Sequence, residues 1–471
     1  MYAGLTLAYW LTLHGFVTAL SVLLYAITSH VRQQRRHPTA AIAWVLFILL
    51  MPYLALPAFL TFGSRKLPRP RGRPALVAPG IDGPGATWAV RTALALGQSA
   101  PASYAQLQLH ADGRAALAAL WQTLEGAQHS IDLSTFIIGR DAIGFELIER
   151  LCAKARAGVR VRLLLDGLGS LMRSRPNLRP LRAAGVQLRL FVPPLHSPLK
   201  GRTNLRNHRK MLIADDAHAA ARLWCGGRNL ACEYFEGTPG KIPWHDLTFD
   251  LRGKAVRQAA ALFEHDWAFA NGISEGISAL PQAPHSPGPQ AAAASTQLIA
   301  SGPDQADDTV YALLITAAYR ARRRIALATP YFVPDAALLM ALSMAARRGV
   351  VVDLLLPARS NHPLSDMARN RALRTLGAAG GRIWVAPQMM HAKLVVIDDD
   401  VLALAGSANL DSRSLFLNYE LMMAFHDAAA VTRFADWFDH ERSTALRYAP
   451  KQPGFIGDVA DGLVLWLGFQ L

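Results

Sequence analysis

Two short stretches pair histidine with one of this chain's scarcest residues. The 471 residues include 41 arginines and only 8 lysines, yet "NLRNHRKMLIADD" places Lys210 two residues after His208. "MMHAKLVVIDD" repeats the arrangement with His391 and Lys393, and in both an aspartate follows the lysine after four residues, Asp215 and Asp398. This composition yields on the order of 0.01 such matches per chain by chance. The apolar run after each lysine predicts a buried strand, on which positions i and i+2 share a face. Histidine and lysine therefore project together, and the aspartate, counted with them as the third member of the motif, is expected to brace the turn at the far end. Two facing copies would assemble two imidazoles and two ammonium groups, a set suited to phosphodiester chemistry without a metal or cofactor. One imidazole attacks phosphorus, giving a phosphohistidine. The other protonates the leaving alkoxide and then deprotonates the incoming alcohol. The lysines neutralise the phosphoryl oxygens as compact charges, where arginine would bring a planar fork. The residues alone do not say which histidine attacks. Arg209, between His208 and Lys210, should point to the opposite face.

More polar residues follow each motif. Asn229, Ser407 and Asn409 are candidates to bind or support the phosphate, with Gly226, Gly227 and Gly406 letting the backbone pass close to it. Asp246 in "WHDL" and Glu420 in "LNYE" are candidates to accept from a histidine ring nitrogen and set its tautomer. The competing reading of these two acids is a salt bridge to one of the many arginines. Tyr234, Trp244 and Tyr419 read as core. Asp399 and Asp400 read as a solvated turn rather than a cation site.

The elements that must position these groups occur twice. "AGVRVRLLLDGLGS" (157–170) matches "RGVVVDLLLPARSN" (348–361), "LRAAGVQLRLF" (181–191) matches "LGAAGGRIWVA" (376–386), and "GGRNL" (226–230) matches "GSANL" (406–410). Four segments matched in order, counting the motifs, indicate a domain duplication rather than a solenoid. Apolar β-branched runs alternate with helical stretches such as "ALAALWQTLEGA" and "DAALLMALSMAARRG", predicting an α/β sandwich in each half. The halves span 102–277 and 296–450. A Pro/Arg-rich linker at 64–101 and a Pro/Ala-rich linker at 278–295 border the first half, and an apolar tail, 451–471, follows the second. Ahead of all this, Met1–Thr28 and Ala40–Phe62 contain no charged residue, and each is long enough to cross a hydrocarbon core. They predict a two-helix transmembrane anchor, 1–63, in which Pro52 and Pro57 either kink the second span or leave it as a shallow hairpin with the first. Three arginines lie between the spans and five basic residues follow them, so the catalytic halves should face the cytoplasm. The net charge of +15 suits a phosphate-bearing partner, nucleic acid or an anionic membrane. The three cysteines match no zinc or redox spacing and read as reduced thiols.

The paired H-x-K-x4-D pattern resembles the phospholipase D superfamily. The segments "NLRNHRK", "GGRNLACEYF", "WHDLTFDLRG", "TPYFVPD", "MMHAK" and "GSANLDSRSLFLNYE" are similar to those of the bacterial cardiolipin synthases. That resemblance implies two phospholipase D-like halves around one active site. It implies a phosphatidyltransferase of phospholipid biosynthesis in the inner membrane, condensing two phosphatidylglycerol molecules to cardiolipin and glycerol. It also implies His208 as nucleophile and His391 as acid/base. The expected partners are phosphatidylglycerol, other anionic phospholipids and the membrane, with no nucleic acid. Alternatives are a hydrolytic phospholipase D, a membrane-tethered nuclease of the same superfamily, and a catalytically dead scaffold, which both intact motifs argue against. Oligomeric state stays open, because one chain carries both half-sites.

Overall fold

The computed structural model describes residues 2–31, 38–63, 87–110, 112–169, 176–193, 203–272, 294–305 and 307–454. The loop between the apolar spans, most of both linkers and the tail sequence "GLVLWLGFQL" lie outside them. Two compact units result.

The smaller unit holds α1 (Tyr2–Val31), α2 (Pro38–Leu50) and α3 (Pro52–Phe62). Among the described residues only α1 provides a helix long and apolar enough to cross a membrane, over Tyr9–Ser29. The expected second spanning helix is instead two helices of 13 and 11 residues. Proline disfavours helical backbone in the residue before it, and Met51, at φ −142° and ψ 61°, breaks the run ahead of Pro52. Tyr25, Ile48, Ala55 and Phe59 pack the three helices together. Tyr9, Trp10, Phe16, Leu46 and Leu54 remain exposed, an apolar exterior suited to lipid.

The larger unit contains two mixed sheets. The first joins β2 (Ala105–His110), β3 (Ser130–Thr135), β4 (Arg160–Asp166), β5 (Gln187–Phe191), β6 (Met211–Ala214), β7 (Arg222–Gly226) and β8 (Thr248–Arg252) in the order β2-β8-β7-β6-β3-β4-β5. The second comprises β1 (Ala102–Ser103), β9 (Ser295–Ser301), β10 (Arg324–Ala328), β12 (Val351–Pro357), β13 (Arg382–Ala386), β14 (Leu394–Ile397), β15 (Leu402–Gly406), β17 (Glu420–Phe425) and β18 (Leu446–Tyr448). Its order is β1-β9-β17-β15-β14-β10-β12-β13-β18. Without the edge strands β1 and β18 the two orders coincide, with β6 matching β14 and β8 matching β17. In each sheet the β3-β4-β5 or β10-β12-β13 group is parallel. A small pair, β11 (Phe332–Val333) with β16 (Leu410–Asp411), stands apart.

Helices cover the sheets because their apolar stripes must be buried. In the first half α5 (Gly113–Gly126) and α6 (Ala142–Arg156) pack through residues such as Leu120, Leu124, Leu147 and Leu151. Asp112 and Asp141 cap them, each accepting from the third helical N–H. The linker expected over 64–101 is folded from residue 87 onward. There α4 (Trp88–Ala95), capped by Thr87, buries Ala89 and Ala93 in the core of the second half. Its short apolar stripe is hidden in a Pro/Gly-rich context. The first residues assigned to the first half likewise belong to the other sheet, since β1 pairs with β9.

Candidate active site

Each histidine–lysine pair lies in the extended lead-in to a buried strand, β6 or β14. The halves meet here through two matching backbone bridges. The His208 N–H donates to the Tyr419 carbonyl at 2.9 Å, and the Tyr419 N–H donates to the Arg206 carbonyl at 2.8 Å. On the other side the His391 N–H donates to the His245 carbonyl at 2.6 Å, and the His245 N–H donates to the Met389 carbonyl at 2.9 Å. Each histidine is thereby held beside the residue that precedes an acid of the opposite half.

The side chains complete that exchange. Glu420, from the second half, accepts from His208 Nδ1 at 3.0 and 3.1 Å. Asp246, from the first half, accepts from His391 Nδ1 at 2.6 Å. The sequence singles out both acids, but not which ring each serves. Burial lowers both imidazole pKa values, that of His391 to about 3, against the opposing pull of the acids. The carboxylates stay ionised: burial would raise their pKa values, but the histidine and lysine opposite each lower them further. Neutral rings with Nδ1–H on a carboxylate leave the Nε2 lone pair for reaction. Phe136 stands edge-on to His208, and Tyr234 and Trp244 pack on His391, giving the rings apolar walls.

Both lysines are buried. The Lys210 ammonium donates to the His208 carbonyl at 2.7 Å. Lys393 reaches the His391 carbonyl and lies 2.9 and 3.1 Å from its ring nitrogens. Burial lowers the Lys210 pKa to about 7 and the Lys393 pKa to about 8, despite the nearby carboxylates. An arriving phosphodiester anion would favour the charged forms.

Other expected residues take different posts. The motif aspartates stand away from the imidazoles. Both carry positive φ, 52° at Asp215 and 57° at Asp398, which aspartate tolerates better than most residues. Asp215 accepts the backbone N–H groups of Gln128, His129 and Ser130, and Asp398 those of Arg322, Arg323 and Arg324. These motif members brace the starts of β3 and β10. Ser407 donates to Glu420 at 2.5 Å, supporting an acid rather than waiting for phosphate. The Asn229 amide donates to the Tyr234 hydroxyl at 2.8 Å and the Asn409 amide to Ser414 Oγ at 3.1 Å. The glycines, expected to clear space for phosphate, clear it for the acid-bearing segments. A Cβ at Gly227 would fall 2.2 Å from Asp246 Oδ1, and one at Gly406 would fall 2.1 Å from the Leu421 carbonyl.

Arg209 is the main supporting residue that the sequence pattern misses. It is fully buried and ion-paired with Asp266, and donates to the Ser301 and Glu420 carbonyls, each at 3.1 Å. It thus ties the first half to the backbone of the acid that serves His208. Asn207 donates its amide to the Asp266 carboxylate at 3.1 Å. The signal was present as "FEHDW", whose Asp266 needs a buried cation, but spacing does not identify which arginine supplies it. Among the described residues no group of three or more His, Cys, Asp or Glu could hold a metal ion.

A family model described as "Cardiolipin synthase, PLD-like domain" matches residues 120–267 and 314–442, one copy per half. A "Phospholipase_D-nuclease N-terminal" model matches residues 21–64. "Cardiolipin synthase 1" of Bacillus anthracis is 30% identical, over 93% of this chain and 90% of that protein. "Cardiolipin synthase A" of Pseudomonas putida is 32% identical, over 87% and 88%. Among solved structures, phosphatidylserine synthase from Haemophilus influenzae superposes with a TM-score of 0.59 at 13% identity. It covers 81% of this chain and all of that one, a likeness of fold.

Proposed function

This chain belongs to the PLD-like cardiolipin synthase family and is a phosphatidyltransferase, and from that premise we propose a mechanism in which two phosphatidylglycerol molecules become cardiolipin and glycerol. The observation that carries the mechanism is the exchange of acids between halves, which makes two motifs one site. His208 Nε2 attacks the phosphorus of the first phosphatidylglycerol, and the bond to the glycerol oxygen breaks. His391, protonated as the anionic substrate arrives and steadied by Asp246, gives its proton to that oxygen. Glycerol leaves, and a phosphatidyl group remains on His208. His391 then removes a proton from the headgroup hydroxyl of a second phosphatidylglycerol. That oxygen attacks phosphorus, cardiolipin departs, and His208 returns neutral with its Nδ1–H on Glu420. Lys210 and Lys393 balance the charge on the phosphoryl oxygens in both steps. Asn229 and Asn409 present their second amide hydrogens to the same oxygens.

The apolar N-terminal run supports membrane attachment, with α1 spanning and α2 with α3 returning through their break. Five basic residues after the run, against three between its parts, favour a catalytic unit on the cytoplasmic side. Cysteines introduced in the loop and after the second run, probed with an impermeant thiol reagent, test that topology.

The decisive assay supplies labelled phosphatidylglycerol to the full chain in neutral micelles. The expected products are cardiolipin and free glycerol in equal amounts. Recovery of phosphatidic acid alone would assign the acceptor role to water and sink the synthase mechanism.

A further inference from the structure

Away from the paired histidines, the first half contains a cleft of about 540 Å³ between β5, α6 and the short helix α7 (Arg179–Ala183). Its nine lining residues include three arginines, Arg140, Arg179 and Arg182, and no acid. Some arginines elsewhere on this half are matched with carboxylates: Arg150 with Glu146, Arg162 with Asp132 and Glu264, and Arg222 with Asp250. Among the described residues the three in the cleft have no such partner. Arg179 and Arg182, spaced i and i+3, present like charges on one helix face, which costs stability unless an anion joins them.

Apart from Asn177, the rest of the lining is apolar. Leu188 and Leu190, two residues apart on β5, share a face, and Leu178, Pro176 and Phe145 extend it. Phe145 is 47% exposed. A free phosphate would use the arginines and leave this surface wet. A nucleic acid would call for several stacking aromatics, whereas the lining has one. An anionic phospholipid satisfies both parts, its phosphate on the guanidinium groups and its first acyl carbons on the leucines and Phe145.

We propose that this cleft binds the phosphate and proximal acyl chain of an anionic glycerophospholipid, as a second lipid site distinct from the catalytic one. The site holds lipid whichever histidine is the nucleophile. It gives the catalytic unit its own contact with an anionic membrane, in keeping with the net charge of +15.

The test uses the full chain in neutral micelles, carrying Lys210→Met and Lys393→Met so that the catalytic site no longer attracts phosphate. Thermal unfolding is followed with dihexanoyl phosphatidic acid, dihexanoyl phosphatidylcholine or inorganic phosphate. Phosphatidic acid should raise the melting temperature saturably, and the other two should not. Adding Arg140→Glu, Arg179→Glu and Arg182→Glu should weaken that response at least tenfold, and the milder triple change to Gln should weaken it in the same direction. With both lysines intact, the triple Gln variant should retain wild-type turnover of micellar substrate, showing that it folds. A response that survives the arginine changes, or one matched by phosphatidylcholine, would overturn the proposal. Equal stabilisation by inorganic phosphate would reassign the cleft to free anions and also overturn it.

Discussion

Replacing Glu420 with Gln tests whether the exchanged acids set the two roles. Glu420 receives the His208 ring at 3.0 Å, the Ser407 hydroxyl at 2.5 Å and the Asn418 amide at 3.1 Å, and has no exposed surface. Gln keeps the volume but removes the charge, and its amide can donate to Nδ1, turning the reactive lone pair away. Losing a charge-assisted hydrogen bond costs about 1.5–3 kcal/mol, roughly 10- to 150-fold in rate. A wrong tautomer has cost about 10⁴-fold in a serine protease triad. The expected loss in kcat is therefore about 10²- to 10⁴-fold, with KM little changed. A p-nitrophenyl phosphatidyl ester separates nucleophile from acid, because its leaving group departs without protonation. Glu420→Gln should abolish the rapid burst of p-nitrophenol. Asp246→Asn should keep the burst yet fail with phosphatidylglycerol, where the leaving glycerol needs its proton. The opposite pattern would exchange the histidines' roles, and a full burst in both variants would refute the tautomer argument.

Three further outcomes follow from neighbouring geometry. Asp215→Ala should cost about 2–4 kcal/mol, since three backbone donors lose a buried charged acceptor; the melting temperature should fall while turnover per folded molecule holds. Burial raises the Asp215 pKa, but those three bonds prevail and lower it, so its contribution should be complete above about pH 4 and fade as pH falls below that. Lys210 and Lys393, at about 7 and about 8, should make kcat/KM fall as pH rises past 8. Stability should move the other way: unfolded lysines titrate near about 10.4, so the folded chain binds fewer protons between those values and gains stability as pH rises. A pH–activity profile beside a pH–melting series checks both signs, and Lys393→Met should flatten each. Arg209→Met strands the buried Asp266 and should destabilise by about 3–5 kcal/mol, whereas Arg322→Met on the surface should leave melting unchanged.

What the sequence disclosed was local. The strands β4, β6, β12 and β14 announce themselves as apolar runs, and the i, i+2 rule places histidine beside lysine. The same rule turns Arg209 away from Lys210, but says nothing of its destination, because Asp266 and Glu420 lie 57 and 211 residues further along the chain. Glycines that admit a phosphate and glycines that admit a strand look alike in sequence; only the atoms opposite Gly227 and Gly406 decide. The second apolar run was legible as hydrophobic length, while its division depended on one backbone conformation at Met51, ahead of Pro52. The helix α4 was obscured because a Pro/Gly-rich composition upstream dominated a stripe of only eight residues.

The exchange of acids also gives a physical reason for the duplication. A half alone would keep its own histidine, lysine and strand, but its acid would face the other half's ring. Neither His208 nor His391 would then have a fixed tautomer, and Asp246 or Glu420 would be a buried charge without its proton donor, which is costly. The two-fold relation is imperfect where it matters chemically. Lys393 lies against its own imidazole, and Lys210 touches only backbone and the face of Phe136. A cation beside His391 lowers its proton affinity, which suits a group that must give a proton to glycerol and later recover one from an alcohol. Among the described residues His208 has no lysine nitrogen within hydrogen-bond reach of its ring, although burial and both lysines lower its pKa. Two Glu420 oxygens stand behind it, which favours it as the electron donor to phosphorus in the proposed mechanism. Halves of matching strand order therefore supply unlike histidines, and that difference supports the proposal that His208 attacks, on grounds that the motif spacing, identical in both halves, does not contain.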